Sequence, residues 1–418
     1  MPLQNKVDEA KKTRLQQQLL VLSFANLLLV ALLGVLMRAF PFLQNFPLNY
    51  KNILHGHSHF AFTGWVMLVL FVLLLKNFPA LREKVADRHW RNIAILIVVS
   101  AFGMLVAFPL QGYKAVSISF STLAIAATVY LAIVVTIALS ACERTTSHRF
   151  VKWGLWYAMF SSLGPFALGP LMAMGKSGST LYFDAIYFYL HFQYNGFFTF
   201  MVLALLYRKL EQQGAARYGN LVFLLLHASL LPAYALSVLW HQPPKLYYWV
   251  GGVAALLQLA GVFYLLKDVQ KGRGAKSFLL RLSLAALVVK SLLQVGSAFP
   301  AVAEMASEQR NFVIAYLHLV LLGFVTVFVF DTVLLRSKCT RWGLIFFLFS
   351  FFSTESLLVL QAAAGIFSFR IPFYPEIILG CSLFFPVGVA FLVKSFLVKQ
   401  ASATNPSLHK KEMPVTLL

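Results

Sequence analysis

The sequence predicts an all-α membrane protein of twelve transmembrane helices, built from three four-helix units. Three observations lead to this prediction: an apolar composition, an alternating distribution of positive charge, and a histidine motif that occurs three times. Of the 418 residues, 60% are hydrophobic and only 12% are charged, whereas soluble domains carry about 25% charged residues. The chain therefore belongs in a lipid bilayer, and one membrane domain takes up nearly all of it.

Twelve apolar runs are long enough to be membrane spans, since a helix needs about 20 residues to cross the hydrocarbon layer. They cover residues 17–40, 52–75, 92–112, 118–140, 153–174, 182–207, 218–240, 247–266, 277–298, 311–334, 342–367 and 375–398. The sequence thus divides into a cytoplasmic N-terminal segment at 1–16, a membrane domain at 17–400, and a polar tail at 401–418 that we expect to be disordered.

The basic residues alternate strictly between the two sides of the predicted spans. Of the 35 Lys and Arg residues, 27 lie before span 1 or after an even-numbered span. The other connections contain only Arg38, Lys51, Lys114, Lys176, Lys245, Arg310 and Arg370. By the positive-inside rule both termini are cytoplasmic, in a bacterial inner membrane. The net charge of +21 therefore reflects topology, and we expect no nucleic-acid partner.

The motif H-x4-G-[WF] occurs at His59, His191 and His318, in spans 2, 6 and 10. The motif is thus always on the second helix of a four-helix unit, which indicates internal triplication with pseudo-threefold symmetry. Each histidine lies seven to nine residues inside its span, roughly 10–14 Å below the outer surface. The three rings are therefore predicted to converge in one layer, and the motif glycine is predicted to mark close packing.

A histidine within the bilayer is costly and is a functional candidate by default. Neutral imidazole is a ligand of haem and of copper, and the aromatic residues beside the motif, such as Phe60 and Trp65, suit a porphyrin cavity. The structural alternative is an interhelical hydrogen bond. Three rings in equivalent positions favour the functional interpretation.

Other polar residues within the spans give further candidates. His227 in span 7 is predicted to face His191, although a purely structural histidine fits this position equally well. His55 and His59 share a helix face because they are four residues apart; they form a candidate metal pair, unless His55 and His57 are simply hydrated at the interface. Lys290 and Glu355, at equal depth in spans 9 and 11, are predicted to form a buried charge pair or to mark a proton route.

Taken together, these residues resemble subunit I of the haem-copper oxidase superfamily, which includes nitric oxide reductases and, more distantly, membrane proteins of the nitric-oxide response. The architecture of twelve helices in three pseudo-symmetric four-helix arcs covers about residues 17–400. The segment HGHSHFAFTGW resembles the haem-ligand segment of helix 2, and YLHLVLLGF resembles the ligand segment of helix 10.

The resemblance implies that His59 and His318 are the axial ligands of a b-type haem, with Tyr316 beside them in the cofactor site. It also implies that His191 and His227, with His55, form a second site for copper or iron. The chain departs from the family pattern in three places. Tyr316 replaces the first histidine of H-x-H on helix 10, and Ala228 replaces the second histidine on helix 7. The tyrosine pattern of helix 6, which begins with H-P-E, is absent. A complete oxygen-reducing binuclear centre is therefore not expected.

The expected function is respiratory electron transfer or nitric oxide handling by a haem protein, and whether the protein is an oxidoreductase stays open. No C-x-x-C-H motif is present, so electrons would come from a quinol or from another respiratory-chain subunit. Two alternatives remain open: a transporter or channel with a histidine proton relay, and a membrane copper-handling protein that uses His55, His57 and His59.

Overall fold

The structure is a computed structural model, which describes the backbone of residues 2–272 and 277–404 and the side chains of 13–272 and 277–398. About 87% of the chain is helical, and the described ranges contain no strand, so the all-α prediction is confirmed. The first helix begins at Pro2 and runs through the predicted N-terminal segment. Of the predicted disordered tail, 401–404 are helical, and 405–418 lie outside the described residues.

Twelve long helical elements, labelled α1 to α12, follow one another along the chain. Some consist of two or three consecutive segments. They are α1 Pro2–Ala39, α2 Tyr50–Asn77, α3 Asp87–Gln111, α4 Ala115–Ser140, α5 Thr146–Ser161 with Leu163–Ala173, α6 at 180–212, α7 Gly219–His241, α8 Lys245–Lys271, α9 Phe278–Ser297, α10 Arg310–Val333, α11 Lys338–Phe367, and α12 Tyr374–Ser382 with Phe384–Thr404. Shorter helices cover Phe40–Phe42, Pro79–Glu83 and Pro300–Glu308.

Ten of these elements in the described part of the chain are long and apolar enough to cross a membrane. The two that fall short are α5 and α6. Helix α5 is interrupted at Ser162, just before Pro165, whose ring cannot donate a backbone hydrogen bond. Helix α6 is continuous but carries the polar residues His191, Gln193 and Asn195 in its middle. The structure thus supports an all-helical membrane protein with ten candidate spans.

Short polar residues begin several helices. The side chain of Asn49 accepts a hydrogen bond from the backbone N–H of Lys51 at the start of α2. Thr145, Ser179 and Ser337 cap α5, α6 and α11 in the same way. Each cap satisfies an N–H group that has no partner within the helix, which explains why these helices begin where they do.

Helices α2, α6 and α10 form the centre of the molecule. In the most apolar part of α2, 83% of residues are buried, compared with 33–50% in the other candidate spans. Helix α6 packs against α2, and the middle segments of α6 and α10 pack against each other. The remaining helices surround these three in chain order, and contact between α1 and α12 closes the ring.

Candidate functional site

A π-helical segment begins one or two residues after each motif histidine and contains the motif glycine. These segments are Ala61–Met67 in α2, Phe192–Phe198 in α6 and Leu319–Thr326 in α10. A π-helical turn contains one residue more than an α-turn, is rare, and is often found at functional sites. The repeated histidine motif therefore coincides with a repeated π-helical segment of the backbone.

Side chains from the neighbouring helices bind carbonyl groups in two of these segments. Asn26 of α1 donates from Nδ2 to the carbonyl of Gly64 at 2.7 Å. Ser283 of α9 donates from Oγ to the carbonyl of Phe324 at 2.8 Å. Helices α1 and α9 each precede the motif helix, so the two contacts occupy equivalent positions. They supply partners where the helical hydrogen-bond ladder is irregular.

The three π-helical segments touch one another through large side chains. The rings of Phe62 and Phe198 meet edge to face at 5.3 Å between centroids, and Trp65 donates from Nε1 to Thr326 Oγ1 at 3.0 Å. Neighbouring side chains pack tightly against the motif glycines: a Cβ atom on Gly196 would lie 2.7 Å from Tyr157 Cβ. The predicted close packing is therefore present at Gly196. Large side chains fill the centre of the bundle.

The three motif histidines do not converge, which corrects the prediction of a single layer of rings. Each motif histidine instead contacts the next helix along the chain, or the loop just after that helix. His59 Nε2 lies 2.9 Å from the hydroxyl of Tyr113, just after α3. His191 Nε2 donates to the carbonyl of Leu230 in α7 at 2.9 Å. His318 Nδ1 contacts a carboxylate oxygen of Glu355 in α11 at 2.9 Å.

His57 lies on the side of α2 that faces α1. Nδ1 of His57 is 3.1 Å from the carbonyl oxygen of Val30 in α1. Because a carbonyl only accepts, Nδ1 carries the hydrogen, and Nε2 has a free lone pair. Helix α1 approaches this ring closely: a Cβ atom on Gly34 would lie 3.6 Å from His57 Cε1.

His59 occupies a separate aromatic site between α2 and α3. Its ring stacks on Phe108 with 4.4 Å between centroids, and its Nε2 is engaged by Tyr113. His55 lies beside the same tyrosine, with 4.7 Å between ring centroids. The predicted shared face of His55 and His59 is therefore present, but it faces α3 and not α10.

The predicted second metal site finds little support in the geometry. Both ring nitrogens of His191 have protein partners: Nε2 donates to Leu230, and Nδ1 lies near Asn195 Nδ2 at 3.2 Å and Ser237 Oγ at 3.3 Å. His227 is bound by the Tyr157 hydroxyl at 2.6 Å. Within the described ranges, no group of three or more His, Cys, Asp or Glu side chains could hold a metal ion.

Lys290 and Glu355 are not in contact, which corrects the predicted charge pair. The carboxylate of Glu355 contacts His318. Lys290, only 4% exposed, lines a cavity between α6, α7, α8 and α9 together with Asn195 and Gln258. The two side chains therefore face different neighbours.

The C-terminal end of α1 and the N-terminal ends of α2 and α12 enclose an open cavity of about 380 Å³. Arg38, Tyr50 and Tyr374 are its polar lining residues. The Tyr374 hydroxyl and Oε2 of Glu355 are buried without a hydrogen-bond partner, and charges on Arg38 and Glu355 act on Tyr374. Unpartnered buried polar atoms are uncommon in proteins, so this region has unused hydrogen-bonding capacity.

Tyr316, predicted to belong to the cofactor site, packs against Tyr194 of α6 with 6.0 Å between ring centroids. Sequence reasoning named His57 only in the copper-handling alternative, and it did not select Arg38 or Tyr374 as site residues. The available signal was the helical periodicity of HGHSH, which places His57 on the opposite side of α2 from His55 and His59. The sequence did not indicate which of those sides meets α10.

No family model matches this sequence, and a comparison with curated proteins gave no match.

Proposed function

We propose that this chain is a membrane haem protein, resembling subunit I of the haem-copper oxidases, in which His57 and His318 hold a b-type haem. One observation carries the proposal: His57 and His318 lie on the central helices α2 and α10, and each binds a protein oxygen through Nδ1. For both residues this arrangement leaves Nε2 available as a ligand.

The partners of Nδ1 are of the kind that support a metal-binding histidine. Such a histidine almost always donates its second ring N–H to a carbonyl or a carboxylate, which fixes the ring and raises its basicity. Val30 O serves His57, and Glu355 serves His318. His59 and His191 have their Nε2 atoms engaged by Tyr113 and Leu230, so they fit the ligand role less well.

The surroundings of the pair also suit this group. Arg38 and Tyr374, which line the neighbouring cavity, supply a positive charge and an unpartnered hydroxyl for the acidic edge of a haem. When bound, the haem would supply reversible one-electron transfer. The chain itself would hold and orient the ligand rings, and the buried core around Trp65 and Phe62 would exclude water from the inner side.

The wider role that we propose is respiratory electron transfer or nitric oxide handling in a bacterial inner membrane, with a quinol or another respiratory subunit as electron donor. It rests on the resemblance of the HGHSHFAFTGW and YLHLVLLGF segments. We also infer twelve spans in three arcs with both termini cytoplasmic, supported by the charge alternation and by contact between α1 and α12. A copper or iron site at His191 and His227 is not part of the proposal.

The optical spectrum of the purified protein tests the proposal. Wild type should show a Soret band and the α-band of a low-spin haem. His57→Ala and His318→Ala should each abolish the low-spin spectrum, because each removes one of the two residues that would hold the haem. The matched control is His59→Ala, two residues away on the same helix, which should retain it.

Loss of the spectrum in His59→Ala but not in His57→Ala would restore His59 as the ligand and refute the assignment. A wild-type protein without a Soret band, after expression with sufficient haem supply, would refute the haem proposal. The transporter and copper-handling interpretations would then be the favoured ones.

A further inference from the structure

Three basic side chains gather around one aromatic ring where α7 begins and α8 ends. The ring belongs to Tyr218, the residue just before α7. The cationic groups of Arg217, Lys267 and Lys271 lie 5.4, 5.9 and 6.0 Å from its centroid, within the range of a cation–π contact. We call these three residues the basic cluster. Three positive charges therefore share a small area at the end of the bundle that carries most of the basic residues.

No carboxylate in the described part of the chain forms an ion pair with the basic cluster. Asp268 is adjacent to Lys267 in the sequence, but it is 0% exposed. Its oxygens accept hydrogen bonds from the backbone N–H of Tyr218 and from the hydroxyl of Tyr207. The cluster is thus left with excess positive charge. Like charges held close together repel one another, so a bound anion would stabilise the cluster.

The basic cluster continues the exposed apolar face of α8, which is a candidate membrane span. The most exposed apolar side chains of this helix, 54–75% exposed, are spaced three, four or seven residues apart: Leu246, Trp249, Val253, Leu256 and Phe263. Lys267 and Lys271 follow Phe263 by four and eight residues, so they lie on the same face. The ammonium of Lys267 is 4.4 Å from the ring centroid of Phe263 and 5.2 Å from that of Tyr264. One face of α8 thus presents apolar side chains along its length and positive charge at its end.

We propose that the basic cluster binds the headgroup of an anionic phospholipid whose acyl chains lie along the exposed face of α8. Guanidinium and ammonium groups bind phosphate well, and basic pockets between transmembrane helices bind anionic lipid headgroups. The N-terminus of α7 adds a partial positive charge at the same place. An acidic protein fits less well, because the ammonium of Lys267 lies over rings on the apolar face of α8. The lipid site shares no residue with the proposed haem site.

Binding of fluorescent phosphatidylglycerol to the purified protein in neutral detergent micelles tests this site. A basic residue near a lipid headgroup contributes about fivefold to binding. Wild type should therefore prefer phosphatidylglycerol to phosphatidylcholine with the same acyl chains by on the order of 100-fold, because only the former carries net negative charge. Inorganic phosphate, compared with chloride at equal ionic strength, should not displace the lipid, since it lacks acyl chains that contact α8.

Substitutions in the basic cluster define the site. Arg217→Gln, Lys267→Gln and Lys271→Gln should each weaken binding of phosphatidylglycerol about fivefold, and the triple variant about 100-fold. Lys267→Arg should bind the lipid as wild type does, because it keeps the charge. The matched control is a triple Gln variant of three exposed basic residues in another connection: Lys84, Arg88 and Arg91. It removes the same number of charges and should bind the lipid as wild type does. Without added lipid, the unfolding temperature should not fall in the cluster variants, because each relieves repulsion between like charges.

Equal affinities of wild type for phosphatidylglycerol and phosphatidylcholine would overturn the proposal. An equal loss of binding in the two triple variants would also overturn it, since the lipid would then respond only to overall charge. Displacement of the lipid by inorganic phosphate would identify a site for free anions, and displacement by polyglutamate would identify a surface for an acidic protein; either result contradicts a lipid site. The haem spectrum is measured separately, so none of these results bears on the haem proposal.

Discussion

At the scale of single residues, the role of each histidine depends on what its two ring nitrogens contact. His191 has partners at both nitrogens, so it acts as an interhelical hydrogen-bonding group in the packed core. Among the described residues, His57 and His318 each have a hydrogen-bond partner at Nδ1 only. The same residue type therefore serves structure in α6 and is available for ligand binding in α2 and α10.

Glu355→Gln should weaken the proposed haem site without removing a ligand. The amide is a poorer acceptor than the carboxylate for the Nδ1–H of His318, so the ring becomes less basic. We expect haem affinity to fall by about 10–100-fold, the range seen when such partners are changed. The midpoint potential should rise, because a less basic ligand stabilises the oxidised iron less.

The ratio of haem to protein and a redox titration measure these effects. Glu304→Gln is the control, since Glu304 contacts Gln242 at the exposed end of the molecule and should leave both quantities unchanged. An unaltered potential and haem content in Glu355→Gln would show that the contact between Glu355 and His318 does not support a haem ligand.

At the scale of helices, the sequence predicted the positions of the elements well and their internal geometry poorly. Long apolar runs define α2 or α10 because membrane helices need length and apolarity. A π-helical segment such as Ala61–Met67 leaves no such signal, since it adds one residue to a turn without altering the composition. The orientation of His57 towards α1 was likewise not predictable, because it depends on which helices become neighbours.

Asn26→Leu should destabilise the protein by leaving the carbonyl of Gly64 without its side-chain donor. Asn26 is fully buried, and an unsatisfied buried polar group costs about 1–3 kcal/mol. Ser283→Ala should have a similar effect at Phe324. The two sites are on different helices and share no partner, so their effects should add.

Reversible unfolding in a detergent titration measures both free energies. Ser291→Ala is the matched control, because Ser291 donates to the carbonyl of Leu287 within its own helix, and we expect its effect to be within about 0.5 kcal/mol. If Asn26→Leu lowered the free energy of unfolding no more than this control, the contact between Asn26 and Gly64 would not stabilise the π-helical segment.

At the scale of the whole molecule, topology follows from the charge pattern and the helix count together. The described part of the chain has ten helices that meet the criteria for a membrane span, and the charge pattern requires an even number of crossings. Ten and twelve are both even, so α5 and α6 decide between them. If both cross the membrane, the connection between them lies outside the cell.

Reporter fusions after Lys114, Lys245 and Arg370 should therefore give the signal of an external site. A fourth fusion at Gly178, between α5 and α6, tests whether these two helices cross the membrane. Their length and apolarity alone do not identify them as spans. We expect an external signal there too. A cytoplasmic signal at Gly178, with external signals at the other three positions, would reduce the count to ten.

The position of Lys290 also subjects it to the electrical potential across the membrane. A unit charge moved through the whole membrane changes its energy by about 2.3 kcal/mol per 100 mV. Halfway through, near the middle of α9, the change is about 1.2 kcal/mol, or roughly sevenfold in an equilibrium constant. An isolated ammonium group would therefore respond to voltage.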